Sequence, residues 1–154
     1  MFVQVCEKTL DLFFAIKPQP RPNSETLAKC QIVAHRGAHS KQIKENTLPA
    51  FQLCLDHHMW GVEFDVRWTK DSVPIIHHDT HCGRMFARPE LVIADTRFSE
   101  LRKEIPDIPS LEEVVREFGQ KLHLMIEIKE PLKIYQEAIF EKLLSPLEPT
   151  RDFH

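Results

Sequence analysis

Gly61-Val62-Glu63-Phe64-Asp65-Val66-Arg67-Trp68 alternates with a period of two. That is a strand's period. It puts Val62, Phe64 and Val66 on one face and Glu63, Asp65 and Arg67 on the other. Two carboxylates on one face, about 7 Å apart at their Cα atoms, repel each other. Facing water the repulsion is slight, and the stretch is then a half-solvated antiparallel strand. Facing the inside of a barrel, the pair needs a cation.

Downstream, Thr69-Lys70-Asp71-Ser72 turns the chain and Val73-Pro74-Ile75-Ile76-His77 runs back, with Pro74 placing it on an edge. Upstream, Gln31-Ile32-Val33-Ala34-His35 reads as a buried strand stopped by Gly37. Leu48 to Leu55 reads as a helix, because Phe51, Cys54 and Leu55 recur at helical spacing and Pro49 fits its first turn. Residues 80–106 carry Pro, Gly and charges and read as irregular. A helix starts at Ser110, which forms a capping box with Glu113 ahead of Leu111, Val114, Val115 and Phe118, and Gly119 ends it. Leu122 to Ile128 is the next strand. Ile134 to Leu144 is the next helix, broken by Ser145-Pro146. Strands alternating with helices predict an α/β fold with parallel strands.

Residues 1–29 are expected to stand apart as an N-terminal helix, over residues 1–16, and a connector, Pro18-Gln19-Pro20-Arg21-Pro22-Asn23-Ser24. The helix is amphipathic, and contact with a membrane surface is its alternative role. Leu12-Phe13-Phe14-Ala15-Ile16 is far too short to span a membrane, and no small-residue cleavage site follows it. The remainder, residues 30–154, is one domain. A chain of 154 residues, 42% of them hydrophobic, is long enough to bury a core. A net charge of −3 gives no basic footprint and argues against a nucleic-acid partner. Cys6, Cys30, Cys54 and Cys82 form no CxxC pair, so reduced thiols in the cytoplasm are the simplest reading, with a disulfide framework as the alternative.

The third strand repeats the theme of the second. Glu127 and Lys129 share one face, and Ile126 and Ile128 the other. Three carboxylates near strand ends suit a hard divalent cation, Mg²⁺ or Ca²⁺. His35 ends the first strand and His78 follows the Val73–His77 segment, so the two could act as an acid and a base. Arg36 offers a planar fork for phosphate oxygens. The run His77-His78-Asp79-Thr80-His81-Cys82 also admits a zinc reading, although only Cys82 supplies sulfur.

In order, Ala34-His35-Arg36-Gly37, Glu45-Asn46-Thr47-Leu48-Pro49-Ala50-Phe51, Gly61-Val62-Glu63-Phe64-Asp65-Val66, Thr69-Lys70-Asp71, Val73-Pro74-Ile75-Ile76-His77-His78-Asp79 and Ile126-Glu127-Ile128-Lys129 resemble the glycerophosphodiester phosphodiesterase family. The resemblance implies a TIM barrel with its site at the C-terminal ends of the strands. It implies that Glu63, Asp65 and Glu127 bind a divalent metal and that His35 and His78 are the acid–base pair. It further implies Arg36 on the phosphate, Asn46 and Lys129 lining the site, and Asp79 orienting its neighbour. The substrate would be a small glycerophosphodiester, and the products glycerol 3-phosphate and an alcohol.

A TIM barrel typically takes about 250 residues. This chain holds three main strands and the Val73–His77 segment, the first three to four units of such a barrel. Parallel strands that do not close leave open edges; a truncated product, a split enzyme whose second chain completes the barrel, and part of a longer protein all fit this reading. Alternatives to the hydrolase are a non-catalytic or partner-dependent fragment, and a related phosphodiesterase acting on intact phospholipid. The last would want an apolar interfacial loop, and residues 80–106 are polar.

Overall fold

The structure, a computed structural model, describes residues 21–148 and 152–154. The helix expected over residues 1–16 and Cys6 lie outside the described residues. The chain divides into two units, Met1–Cys30 and Gln31–His154. In the first, the end of the expected connector is helical: α1 spans Ser24–Ala28. Its cap is Asn23, whose side chain accepts from the Thr26 N–H at 2.7 Å.

The second unit is built on a parallel core. β1 (Val33–His35) and β6 (His123–Ile128) flank β2 (Gly61–Trp68), and both run parallel to it. The connections carry helices α2 (Leu48–Asp56) and α5 (Leu111–Phe118), and α6 (Ile134–Leu144) follows β6. On β2, Val62, Phe64 and Val66 are each fully buried. They pack with Phe51 and Cys54 of α2 and with Leu111, Val114 and Phe118 of α5. Phe51 is the hinge of that core, with its ring centroid 5.6 Å from Phe64 and 5.9 Å edge-on from Phe118. The face carrying Glu63, Asp65 and Arg67 therefore turns away from the helices. Among the described residues no helix is long and apolar enough to cross a membrane.

Val66 pairs with both Ile128 of β6 and Ile76 of β3 (Pro74–Ile76), so β3 lies on the side of β2 that β1 occupies, beyond the end of β1. β3 is antiparallel to β2. β3 ends the strand order on that side, the edge place expected from Pro74, but the edge is covered: all three of its residues are buried, the Ile76 N–H donates to Pro109 O at 2.9 Å, and Ile75 bridges to Ser110.

The reading of residues 80–106 as irregular is corrected. They form β4 (His81–Cys82), α3 (Gly83–Phe86), β5 (Arg88–Val92), a 3₁₀ turn at Ile93–Asp95 and α4 (Phe98–Glu104). β4 and β5 make a separate two-stranded sheet. Ile75, Cys82, Ile93, Leu101, Ile105 and Ile108 give this excursion a core of its own. The expected open edge of β6 is also met in part by the chain itself. The Leu124 and Ile126 N–H groups donate to Asp152 O and His154 O, both at 2.7 Å, and Phe153 bridges in parallel to Leu124. No finding supports a second chain at that edge.

The capping box at Ser110 is present, and it extends further than the local motif. Glu113 accepts from Ser110 N at 2.8 Å and from Arg102, so one carboxylate ties α4 to the start of α5. Burial pushes Glu113 upward, but its hydrogen bonds from Arg102 and Ser110 outweigh this and hold its pKa down to about 2. A depressed folded pKa means stability that is complete above the ordinary value of 4.5 and lost as pH falls toward 2. Glu113→Gln is expected to lower stability at pH 7 by about 1 to 2 kcal/mol. The gap from wild type should narrow steadily between pH 4.5 and 2 in urea unfolding, and a gap that is constant with pH would contradict this role.

Candidate active site

Register builds the site. β1 pairs His35 with Glu63, and β6 pairs Glu127 with Asp65, so side chains from three strands share the face that β2 turns away from its helices. Carboxylate oxygens of Glu63, Asp65 and Glu127 lie within 4.8 Å of one another. They are the one such ligand group among the described residues. Like charges this close need offsetting, and the structure supplies it at Asp65, which is fully buried. Lys129 Nζ stands 2.8 Å from Asp65 Oδ1 and 2.6 Å from Glu127 Oε1. Arg36 Nε stands 3.2 Å from Asp65 Oδ2, and Asn46 Nδ2 donates to the same oxygen at 2.8 Å. Burial drives Asp65 upward, yet these partners prevail and hold its carboxyl below the usual range. Burial likewise opposes the Lys129 ammonium, and its hydrogen bonds to Asp65 and Glu127 push its pKa up.

Glu63 is treated differently. Burial raises its pKa, with repulsion from Asp65 and Glu127 adding to the rise and the Arg36 N–H bond opposing it. Its one hydrogen bond from the protein among the described residues is that N–H, donated to Oε2 at 3.0 Å, with His35 Nε2 at 3.8 Å. Asn46 Oδ1 is buried with no hydrogen-bond partner among the described residues. An all-oxygen donor set, one member of which is repelled by the others, fits a hard divalent cation.

Two backbone outliers hold this arrangement. Arg36 has φ 57° and Asn46 has φ 56°, both left-handed. For Asn that conformation costs little; for Arg it stores about 1 kcal/mol or more. The strain turns the Arg36 N–H onto Glu63, while its carbonyl accepts from Asn46 N at 2.9 Å. Gly37 follows at φ 85°, and a Cβ there would lie 2.8 Å from Ala50 Cβ and 2.9 Å from Phe51 Cδ1, so only glycine fits this exit from β1.

The histidines separate cleanly. His77 is buried, its Nε2 3.2 Å from His81 O and its ring stacked on Phe86. Burial lowers its pKa. A carbonyl only accepts, so Nε2 carries the proton and His77 is a neutral structural donor. His78 is half-exposed, and its Nδ1 meets Asp79 Oδ1 at 2.7 Å. Burial raises Asp79, but hydrogen bonds from His78 and Arg84 overcome this and hold it near a pKa of about 2. The carboxylate fixes the proton on Nδ1 and leaves Nε2 as the ring's acceptor nitrogen. His35 is the most open member of the group, with its side chain 69% exposed. The zinc reading of the run 77–82 finds no support in the geometry. His77 and His78 are engaged with different partners, and Cys82 lies in the second core with burial raising its thiol to about 11.

Glu45 and Arg84 escaped the sequence reading. Arg84 Nη2 donates to Glu45 Oε1 at 2.6 Å and Arg84 Nε to Asp79 Oδ2 at 2.7 Å. Arg36 Nη1 donates to the same Glu45 oxygen at 3.0 Å. Glu45 lies inside a quoted motif, so its position was visible. Arg84 lies in the stretch read as irregular, and nothing local marked it. Arg67, on the Glu63 and Asp65 face, donates to His78 O at 2.7 Å and pairs with Glu130 at 2.6 Å.

A family profile described as "Glycerophosphoryl diester phosphodiesterase family" matches residues 35–143. A glycerophosphodiester phosphodiesterase of Caldanaerobacter subterraneus is 33% identical over 132 residues, which cover 78% of this chain and 53% of that protein. Glycerophosphodiester phosphodiesterase 1 of Mus musculus is 32% identical over 135 residues, covering 76% and 40%. The chain spans about half the length of the curated relatives it matches. Among solved structures, a glycerophosphodiester phosphodiesterase of Thermotoga maritima aligns with a TM-score of 0.69 at 30% identity, over 80% of this chain and 52% of that one. A phosphodiesterase of Oleispira antarctica, solved in complex with the product sn-glycerol-3-phosphate, aligns with a TM-score of 0.61 at 29% identity, over 79% and 54%. A match that begins at His35 and runs past Lys129 takes in every side chain gathered round Asp65, and on that match the chain belongs to the glycerophosphoryl diester phosphodiesterase family.

Proposed function

We propose that this chain carries the chemistry of glycerophosphodiester hydrolysis, giving glycerol 3-phosphate and an alcohol, on the first strands of a (β/α)₈ barrel. The observation that carries the reading is the convergence of three carboxylates, Arg36 and Lys129 on one strand face. Glu63, Asp65 and Glu127 would hold a divalent cation, Mg²⁺ or Ca²⁺. Bound there, it would offset the charge that grows on the phosphoryl oxygens. Arg36 already spends Nε on Asp65 and Nη1 on Glu45, which leaves the Nη2 edge for a phosphate oxygen. Lys129 would offer its ammonium to the same anion.

His35 and His78 are the acid and base. One takes the proton of the attacking water or glycerol hydroxyl. The other gives a proton to the departing alkoxide. Asp79 keeps His78 in the tautomer whose Nε2 accepts the proton. A cytoplasmic setting is proposed from the widely spaced thiols, of which Cys30, Cys54 and Cys82 are free.

The test is release of sn-glycerol 3-phosphate from glycerophosphocholine by a polypeptide of full family length carrying residues 31–154. EDTA is expected to abolish release and Mg²⁺ or Ca²⁺ to restore it. Residues 1–154 by themselves are expected to bind product and cation but to turn over slowly. Glu127 and Ile128 on β6 are 53% and 37% exposed, and an error of about 1 Å in placing a reacting group costs about a hundredfold. Full activity in a metal-free sample would refute the reading.

A further inference from the structure

The ion pairs around the site form one continuous line. His78 Nδ1 meets Asp79 Oδ1 at 2.7 Å, and Arg84 Nε meets Asp79 Oδ2 at 2.7 Å. Arg84 Nη2 meets Glu45 Oε1 at 2.6 Å, Arg36 Nη1 meets that same oxygen at 3.0 Å, and Arg36 Nε meets Asp65 Oδ2 at 3.2 Å. We propose that Glu45 and Arg84 are positioning residues that bridge the phosphate-facing Arg36 to the acid–base His78. The inference rests on the functional reading given above.

Three features carry it. First, a single oxygen of Glu45 serves both guanidinium groups, so neither can shift without disturbing the other. The Glu45 side chain is 12% exposed, and water does little to screen the pairs it makes. Second, Arg84 uses two different nitrogens of its fork, Nε for Asp79 and Nη2 for Glu45. A planar fork reaches both carboxylates from two spaced nitrogens; an ammonium must draw both to one atom, as Lys129 does with Asp65 and Glu127, and so would change their spacing. Third, the bridge joins segments far apart in sequence, which also meet where Lys44 Nζ lies 4.8 Å from the Phe86 ring centroid. Glu45 lies in the loop between β1 and α2, and Arg84 on the short α3 of the excursion after β3. His78 sits on the short stretch between β3 and β4, outside the parallel strands that hold the carboxylates. Its backbone is tied to β2, since the His77 N–H donates to Asp65 O at 2.9 Å and Arg67 Nε donates to His78 O at 2.7 Å, but neither bond fixes the imidazole ring. Asp79 orients the ring, but Asp79 is adjacent in sequence and moves with it. Arg84 and Glu45 link the Asp79 carboxylate, and through it the His78 ring, to the Arg36 guanidinium.

The test compares wild-type chain with Glu45→Gln, Arg84→Gln and Arg84→Lys. The readouts are the ring ¹⁵N signals of His78, affinity for sn-glycerol 3-phosphate in Mg²⁺, and the unfolding midpoint. Arg84→Lys keeps the charge and loses the fork of two spaced nitrogens. It is expected to fold, to displace the His78 ring signals and to weaken product binding about tenfold, as Arg84→Gln does. Glu45→Gln leaves two guanidinium groups facing each other and should release Arg84, whose side chain is 45% exposed, with the same two effects. If Glu45→Gln fails to fold, Arg84→Lys decides. The bridge is refuted if the folded variants keep the wild-type His78 signals and bind product within about twofold of wild type. If wild type itself binds no product, the functional reading fails separately, and the His78 signals alone decide on the bridge.

Discussion

Asp65→Asn is expected to lower affinity for Mg²⁺ or Ca²⁺ by on the order of a hundredfold, read by calorimetric titration, and to destabilise the fold as well. The carboxylate is fully buried and receives Lys129, Arg36 and Asn46. An amide of the same shape removes the negative charge and turns an NH₂ group toward those donors. Two cations then lack their common partner. Breaking a buried pair on one side costs about 3 to 5 kcal/mol. Glu63→Gln separates binding from folding. Its folded pKa is raised, so the ionised side chain destabilises the metal-free protein at pH 7, and the neutral amide removes that penalty. Cation affinity should fall, while metal-free stability holds or rises. Equal cation affinity in wild type and Glu63→Gln would remove the carboxylate site.

His78→Ala is expected to lower turnover of a full-length family polypeptide by about two to four orders of magnitude. The unfolding midpoint should hardly move, since the ring is half-exposed and, among the described residues, engages Asp79 alone. His77→Ala should do the reverse. It empties a buried position beside Phe86 and leaves His81 O without its donor, so stability falls while chemistry survives. A silent His78→Ala beside a dead but folded His77→Ala would exchange their roles.

The parts of the fold that were legible were those whose signal is local. β2 declares itself by alternation because its apolar face is sealed by α2 and α5 while its other face gathers the polar site. The bounds of α6 and the cap of α5 follow from Ser145-Pro146 and from Ser110 with Glu113. The excursion from His81 to Glu104 was not legible. Its strands are short and polar, and its buried residues, such as Cys82, Ile93 and Leu101, fall at no single period. They form a core together with Ile75 of β3 and with Ile105 and Ile108, from separate stretches of the chain. α1 was hidden by the prolines before it, although Asn23 is a good cap. The three carboxylates could be placed on common faces from alternation, but their convergence needed the register of β1, β2 and β6. The left-handed turn at Arg36 and the Glu45–Arg84 contact depend on chain segments far apart, and no local pattern marks either.

The central claim is that Glu63, Asp65 and Glu127 hold one hard cation beside an anion site made by Arg36 and Lys129. Diffraction from crystals of this chain grown with Ca²⁺ and sn-glycerol 3-phosphate tests it most directly. The account predicts a calcium peak at about 2.3 to 2.6 Å from oxygens of all three carboxylates, with the phosphate against Arg36 and Lys129. A cation bound elsewhere, or Lys129 still seated between Asp65 and Glu127 with no cation present at saturating Ca²⁺, would contradict it.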